Sequence, residues 1–177
     1  MSNVLGAMDA FAAIELLPYS AAMQSAVLEL IVSIQREEFG FDIGVDDQPD
    51  LTTIPSFYQV GAGGFWVAQS NGEVVGTIGL RDIGNNQGAL RKMFVKASHR
   101  GAQYAVASSL LQHLVRSAVS ESTREIYLGT TERFVAAHRF YEKNGFSRVP
   151  AESLPGAFPR MSLDTRFYLR KLGQNDA

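Results

Sequence analysis

The chain has 177 residues, 46% of them hydrophobic, which suits one domain of ordinary size with a full core. Sixteen Lys and Arg against 18 Asp and Glu leave a formal net charge of −2, which argues against a broad basic face for nucleic acid. The absence of cysteine excludes disulfides, thiolate metal sites and any acyl intermediate carried on a thiol. Met1 to Phe11 has no basic n-region and is not followed by a long apolar run, so a cytoplasmic chain with no signal peptide and no membrane partner is expected.

Phe11 to Leu17 is a short apolar run ending at Pro18 and reads as a first strand, with Ser20 as N-cap of the following helix. Met23, Val27, Leu30, Ile31 and Ile34 recur at helical spacing to about Glu38, and the same stripe extended reaches Glu37 and Glu38. Phe39 to Gln59 is rich in Gly, Asp and Pro and reads as an ordered loop with a short helix at Ile54 to Tyr58. Phe65 to Gln69, Val74 to Arg81 and Ala89 to Lys96 read as strands, the first two joined by the hairpin signal Asn71-Gly72. Val106, Leu110, Leu111, Leu114, Val115 and Ala118 mark an amphipathic helix from Ala102 to Val119. Glu125 to Gly129 is a further strand and Glu132 to Asn144 a helix closed by Gly145, suited to an αL cap. A strand beginning at Gly145-Phe146, a loop at Leu154 to Met161 and a last strand at Thr165 to Leu172 complete one domain over 1–177. No internal repeat or low-complexity segment interrupts it.

The organising stretch is the turn from the strand Ala89 to Lys96 into the next helix. Arg100, Gly101, Ala102, Gln103, Tyr104 and Ala105 fall where that helix is expected to start, so unpaired amides and the positive end of the helix dipole suit an anion. Spacing alone equally allows a plain strand-turn-helix unit. The stretch resembles the acyl-CoA pyrophosphate loop of the GNAT N-acetyltransferase superfamily, Arg/Gln-x-x-Gly-x-Gly/Ala, in Arg100 and Ala105 and in the strand residues Leu90, Met93, Phe94 and Val95. Gln103 stands where that pattern has its central glycine.

A second segment, Arg139 to Phe146, resembles the FYEKxGF motif after the fifth GNAT strand. The element order matches as well, so the resemblance covers nearly the whole chain. It implies an α/β fold with a central, mixed but mostly antiparallel sheet flanked by helices. It also implies acetyl-CoA as acyl donor without a metal. By that likeness Tyr141 is the general acid for the leaving thiolate, and the backbone of Met93, Phe94 and Val95 meets the pantetheine arm and polarises the thioester.

Two positions depart from the family. Its fourth-strand Glu falls at Ala89, which leaves Glu37, Glu38 or Asp82 to accept the amine proton, Glu38 ranked first. Its CoA-contacting Asn falls at Phe134, with Thr130 or Thr131 in its place. His113 reads as a surface position and His138 as packing. The acceptor is expected between Gln35 to Tyr58 and Leu154 to Met161, where Arg160 could pair an acceptor carboxylate or simply be solvated. The expectation is direct attack of a primary amine, on a small molecule, upon acetyl-CoA in a ternary complex, in a chain that could form a homodimer. The rival is a non-catalytic acyl-CoA-binding regulatory module of the same fold.

Overall fold

The computed structural model describes residues 13–176. Phe11, where the first strand was expected to start, and the segment Met1 to Phe11 lie outside the described residues. Seven strands form one sheet in the order β1-β2-β3-β4-β5-β7-β6. They are β1 (Ile14–Pro18), β2 (Gly64–Ser70), β3 (Glu73–Gly84), β4 (Gln87–Val95), β5 (Glu125–Thr130), β6 (Ser147–Val149) and β7 (Arg166–Lys171). Only β4 and β5 run parallel; the other neighbours are antiparallel. The helices are α1 (Gln24–Ser33), α2 (Pro49–Thr52), α3 (Ile54–Phe57), α4 (Val106–Ser120) and α5 (Val135–Lys143).

Alternation along the strands divides the core between the two faces of the sheet. On β2, Trp66 and Ala68 join Leu110, Leu111 and Leu114 of α4, while Phe65 and Val67 face Val27 and Ile31 of α1 with Ile54 of α3. Tyr141 of α5 belongs to the α4 side. Gly76 permits this docking, because a Cβ there would stand 3.0 Å from both Leu110 and Val106.

Turn chemistry fixes the hairpins. Asn71 and Gly72 both take positive φ, as an I′ turn requires, and so do Asn85 and Asn86 between β3 and β4. β3 and β4 therefore extend to a two-residue turn at Asn85-Asn86, beyond the strand ends expected at Arg81 and Ala89. Asp82 caps the turn instead, accepting hydrogen bonds from the amides of Ala62 at 3.0 Å and Gly84 at 2.9 Å. These bonds hold its pKa below the usual value, which makes it a poor proton acceptor.

Two expectations about the helices change. The first helix does not carry its stripe to Glu37 and Glu38, because Ile34–Glu38 widens into a π-turn. That extra residue per turn shifts the phase, so Gln35 is buried and both glutamates are exposed. The α4 helix begins at Val106 rather than near Gly101, after Ala105 in the left-handed region. His113 is half-buried, its ring lying edge-on to Trp66 at 5.5 Å.

Leu110 is fully buried between α4 and the sheet. Leu110→Ala should therefore cost about 2–5 kcal/mol, read as a lowered urea midpoint at unchanged slope.

Candidate active site

The sheet opens at its one parallel seam. β4 and β5 pair from Gln87↔Glu125 to Leu90↔Leu128 and no further, so Met93 to Val95 have no β5 partner. A β-bulge falls beside this fork, since β3 pairs Gly79 with Arg91 but Thr77 with Phe94. Lys92 absorbs the extra residue at φ 54°, and the Thr77 hydroxyl donates to its carbonyl at 2.8 Å.

A cleft fills the fork. Its walls include Met93, Phe94, Thr130, Thr131, Phe134, Ala137 and Tyr141. The Tyr141 hydroxyl donates to the Met93 sulfur at 3.7 Å. Its ring is 6% exposed, and burial pushes its pKa well above that of a free phenol, so the hydroxyl keeps its proton. From the cleft a groove continues between Met93 to Val95 and Ala136 to Ala137, reaching Arg100. It ends on Gly101, Ala102, Ala105 and Val106, with Phe140, Lys143 and Asn144 opposite.

The loop closing this groove is a wound turn. The amides of Tyr104 and Ala105 both donate to the Gly101 carbonyl. Gly101 has φ 107° and Ala105 φ 51°, whereas Gln103 has no positive φ. The backbone thus makes no demand for glycine at position 103. The Gln103 side chain folds back over Gly101, where a Cβ would stand 3.0 Å from its Oε1. Tyr104 packs its ring near His99, centroids 5.2 Å apart. At the start of α4, Val106, Ala107 and Ser108 have no intrahelical acceptors for their amides, and these residues line the end of the groove.

At the cleft floor lies a polar cluster that sequence reasoning missed. The Lys92 ammonium donates to Gln48 Oε1 at 2.5 Å and stands 3.7 Å from Asp50. Arg91 donates to Tyr58 at 3.1 Å and to the Pro159 carbonyl at 2.7 Å, with Asp50 at 3.7 Å. Tyr58 donates to Asp50 at 2.6 Å, and Gln35 and Gln48 exchange amide hydrogen bonds at 2.9 and 2.8 Å. Gln35, Arg91, Lys92 and Asp164 line the cleft; Asp50 stands behind them. Burial lowers the Lys92 pKa to about 8, opposed by Asp50, and burial raises that of Asp164. Asp164 lies against the bare Gly129 of β5, where a Cβ would meet its Oδ2 at 2.7 Å, and accepts the Met161 amide at 2.9 Å. Adjacent bases in an otherwise apolar strand, Arg91 and Lys92 between Leu90 and Met93, were the available signal.

Residues 28–146 match the sequence profile described as the Acetyltransferase (GNAT) family. The chain belongs to the GNAT acetyltransferase family. Among solved structures it is similar to a GNAT acetyltransferase from Staphylococcus aureus Mu50, with TM-score 0.87 and 39% identity over 91% of this chain and 100% of that one. N-acetylglutamate synthase from Neisseria gonorrhoeae, crystallised with coenzyme A and N-acetyl-glutamate, shares the fold at TM-score 0.72 and 15% identity, over 93% of this chain and 36% of that one. N-acetylaspartate synthetase of Danio rerio is 33% identical over 124 residues, 67% of this chain and 43% of that protein. The chain thus spans less than half the length of the curated relatives it matches.

Placed on this GNAT framework, the residues singled out from sequence divide into two groups. Tyr141, Met93, Phe94 and Thr130 line the cleft, and Val95, Arg100, Gly101, Ala102 and Ala105 line the groove beyond it. Glu38 is outside the cleft, bound to the Arg100 guanidinium at 2.7 Å, and Arg100 also donates to the Val95 carbonyl at 2.8 Å. Phe134, at the family's Asn position, packs against Phe39 and Phe41 with centroids 4.3 and 5.7 Å away. It therefore ties the segment after the π-turn onto the α5 side of the fork. His138 is buried, bonded to the Thr131 carbonyl at 2.8 Å and to Arg166 at 3.1 Å, as packing requires. Arg160 lies over the Phe167 ring at 4.9 Å.

Lys92 gives a signed pH dependence. Below pH 8 both folded and unfolded chains carry its proton, and the folded chain bears the full cost of the buried charge. From pH 8 towards the unfolded value of about 10.4 the folded state releases the proton first, so stability rises. The unfolding free energy of the wild type, relative to Lys92→Met, should therefore rise by about 1–3 kcal/mol between pH 7.5 and 10 in urea titrations. A flat difference would mean that Lys92 titrates as an exposed lysine.

Proposed function

We propose that the chain is an N-acetyltransferase that moves the acetyl group of acetyl-CoA to a primary amine on a small molecule, by direct attack in a ternary complex. The observation that carries this reading is the Tyr141 hydroxyl, buried and protonated, beside Met93 where β4 leaves β5. Membership of the family supports the acyl donor, and the named product of the Danio rerio relative, N-acetylaspartate, supports a small acceptor.

In this reading the pyrophosphate of acetyl-CoA lies on the turn Arg100, Gly101, Ala102, Gln103, Tyr104 and Ala105 and on the first amides of α4. The N–H groups of Val106, Ala107 and Ser108, without intrahelical acceptors, and the helix dipole favour an anion there. Arg100 exchanges its Glu38 partner for phosphate or holds both, which makes Glu38 a counterion of the loop rather than a base. The pantetheine arm follows the open edge of β4 at Met93, Phe94 and Val95, past Thr130, and brings the thioester to Tyr141.

The reaction follows from these placements. The amine nitrogen attacks the thioester carbonyl carbon, forming the C–N bond, while β4 amides stabilise the oxyanion. Collapse breaks the C–S bond, Tyr141 gives its proton to the departing thiolate, and the proton still held by the acylated nitrogen passes through water to the phenolate, leaving a neutral amide. The acceptor arrives as an ammonium and must lose a proton before attack, at about 4–5 kcal/mol for a free alkylamine at pH 7. Asp164 is the carboxylate placed to take that proton, because it lines the cleft and its raised pKa brings it closer to the amine.

Tyr141→Phe should lower turnover by about 10²–10⁴-fold with acetyl-CoA affinity unchanged, measured by thiol release and calorimetry. Binding by both proteins with turnover by neither would identify a non-catalytic acyl-CoA-binding module instead. In the wild type, ionisation of the acid should impose no alkaline loss of rate below pH 10, since burial raises the Tyr141 pKa.

A further inference from the structure

The cleft floor carries charges that thioester chemistry does not require. Tyr141 and the open edge of β4 account for the acyl donor. The Lys92 ammonium, whose side chain is 3% exposed, remains as a cation in the wall of the same cleft. Its backbone stands in the left-handed region at the bulge, a conformation that is costly for a residue other than glycine. Among the described residues the ammonium donates to Gln48 and pairs with Asp50 at 3.7 Å, and an ammonium has three donors, so one remains for the cleft.

The polarity of the floor is divided. Arg91 and Lys92 form a positive pole, and the single carboxylate within ion-pair reach of both, Asp50, sits behind them and already accepts from Tyr58. That pole retains an excess of one positive charge at neutral pH. Asp164 forms the negative pole on the β5 side, held by the Met161 amide and beyond ion-pair distance of any base among the described residues, while still feeling the charges of Arg91, Lys92 and Arg160. A cleft with one cationic and one anionic pole complements a molecule with one charge of each sign on neighbouring atoms.

We infer that the floor of this cleft is a subsite for a zwitterionic amino acid, in which Lys92, backed by Arg91, receives the carboxylate and Asp164 receives the ammonium that becomes the nucleophile. The inference rests on the transferase reading above and adds the acceptor class to it. A carboxylate between the two bases supplies an acceptor for the remaining Lys92 donor and neutralises the pole, and charge-assisted bonds of that kind are the strong ones. Lys92 is then a specificity-determining residue.

The test compares each of a panel of L-amino acids with its own carboxamide in acetyl-CoA-dependent thiol release. The amide keeps shape and amine but removes the negative charge, and its amine is the less basic, so chemistry alone favours the amide. For the best amino acid, kcat/KM should exceed that of the amide by about 100-fold or more, since a site built to bind a polar group strongly rejects the analogue lacking it. Lys92→Met should raise the amino-acid KM by about tenfold or more, with kcat much less affected, and bring the acid-to-amide ratio towards one. Lys92→Arg should keep the preference. Amides reacting as well as acids in the wild type would overturn the inference and leave the transferase standing, a result that needs no variant to fold. Release from neither acids nor amides, with acetyl-CoA still bound, would also overturn this inference, and release from no amine in a wider panel of non-amino-acid primary amines would overturn the transferase reading as well.

Discussion

The departure of β4 from β5 after Leu90 is the constraint on which the rest of the structure depends. Two parallel strands that separate leave backbone groups without partners, and buried backbone groups must find them. The bulge at Lys92 meets part of this demand by turning the strand locally and giving its carbonyl to Thr77. The remaining open edge, Met93 to Val95, is the one stretch of central strand where another chain of amides, such as a pantetheine arm, could pair. The fork and the groove are thus one feature.

The same bulge explains why the long segment between α1 and β2 is ordered although it carries so little regular structure. Gln48, Asp50 and Tyr58 are all buried, which would be costly for polar groups alone. They are satisfied against Lys92, Arg91 and Gln35, and Gln35 reaches them because the π-turn rotates it inward. A π-turn at the end of one helix, a left-handed lysine in a strand and a loop rich in Gly and Asp therefore stabilise one another. Phe134 completes the enclosure by packing against Phe39 and Phe41.

Much of this was legible in the sequence where the signal is local. The strand periods, the Asn71-Gly72 turn, the stripe of α4 and the αL Gly145 all appear where pattern places them. The Tyr141 segment and the loop at Arg100 could be picked out because each is a contiguous motif. What the sequence concealed depends on phase and distance. A π-turn moves a helical stripe by one residue, so Glu38 leaves the core and Gln35 enters it. The wound turn from Gly101 to Ala105 delays α4 without any breaker in the usual place. The charged floor draws on the segment after α1, on β4 and on the loop before β7, and no spacing rule joins Asp50, Lys92 and Asp164.

Gln103 shows the opposite case, a departure from the family pattern with a small structural consequence. Its backbone needs no positive φ, so a side chain fits, and the positions that do need it are Gly101 and Ala105. The central claim is that the thioester of the acyl donor sits at the fork. A crystal structure with a non-reactive thioether analogue of acetyl-CoA tests it most directly. The account predicts the pyrophosphate on the amides between Gly101 and Ser108, and the analogue's sulfur within about 3.5 Å of the Tyr141 hydroxyl. An analogue bound with its acyl end elsewhere, or with Tyr141 still enclosed and out of reach, would contradict it.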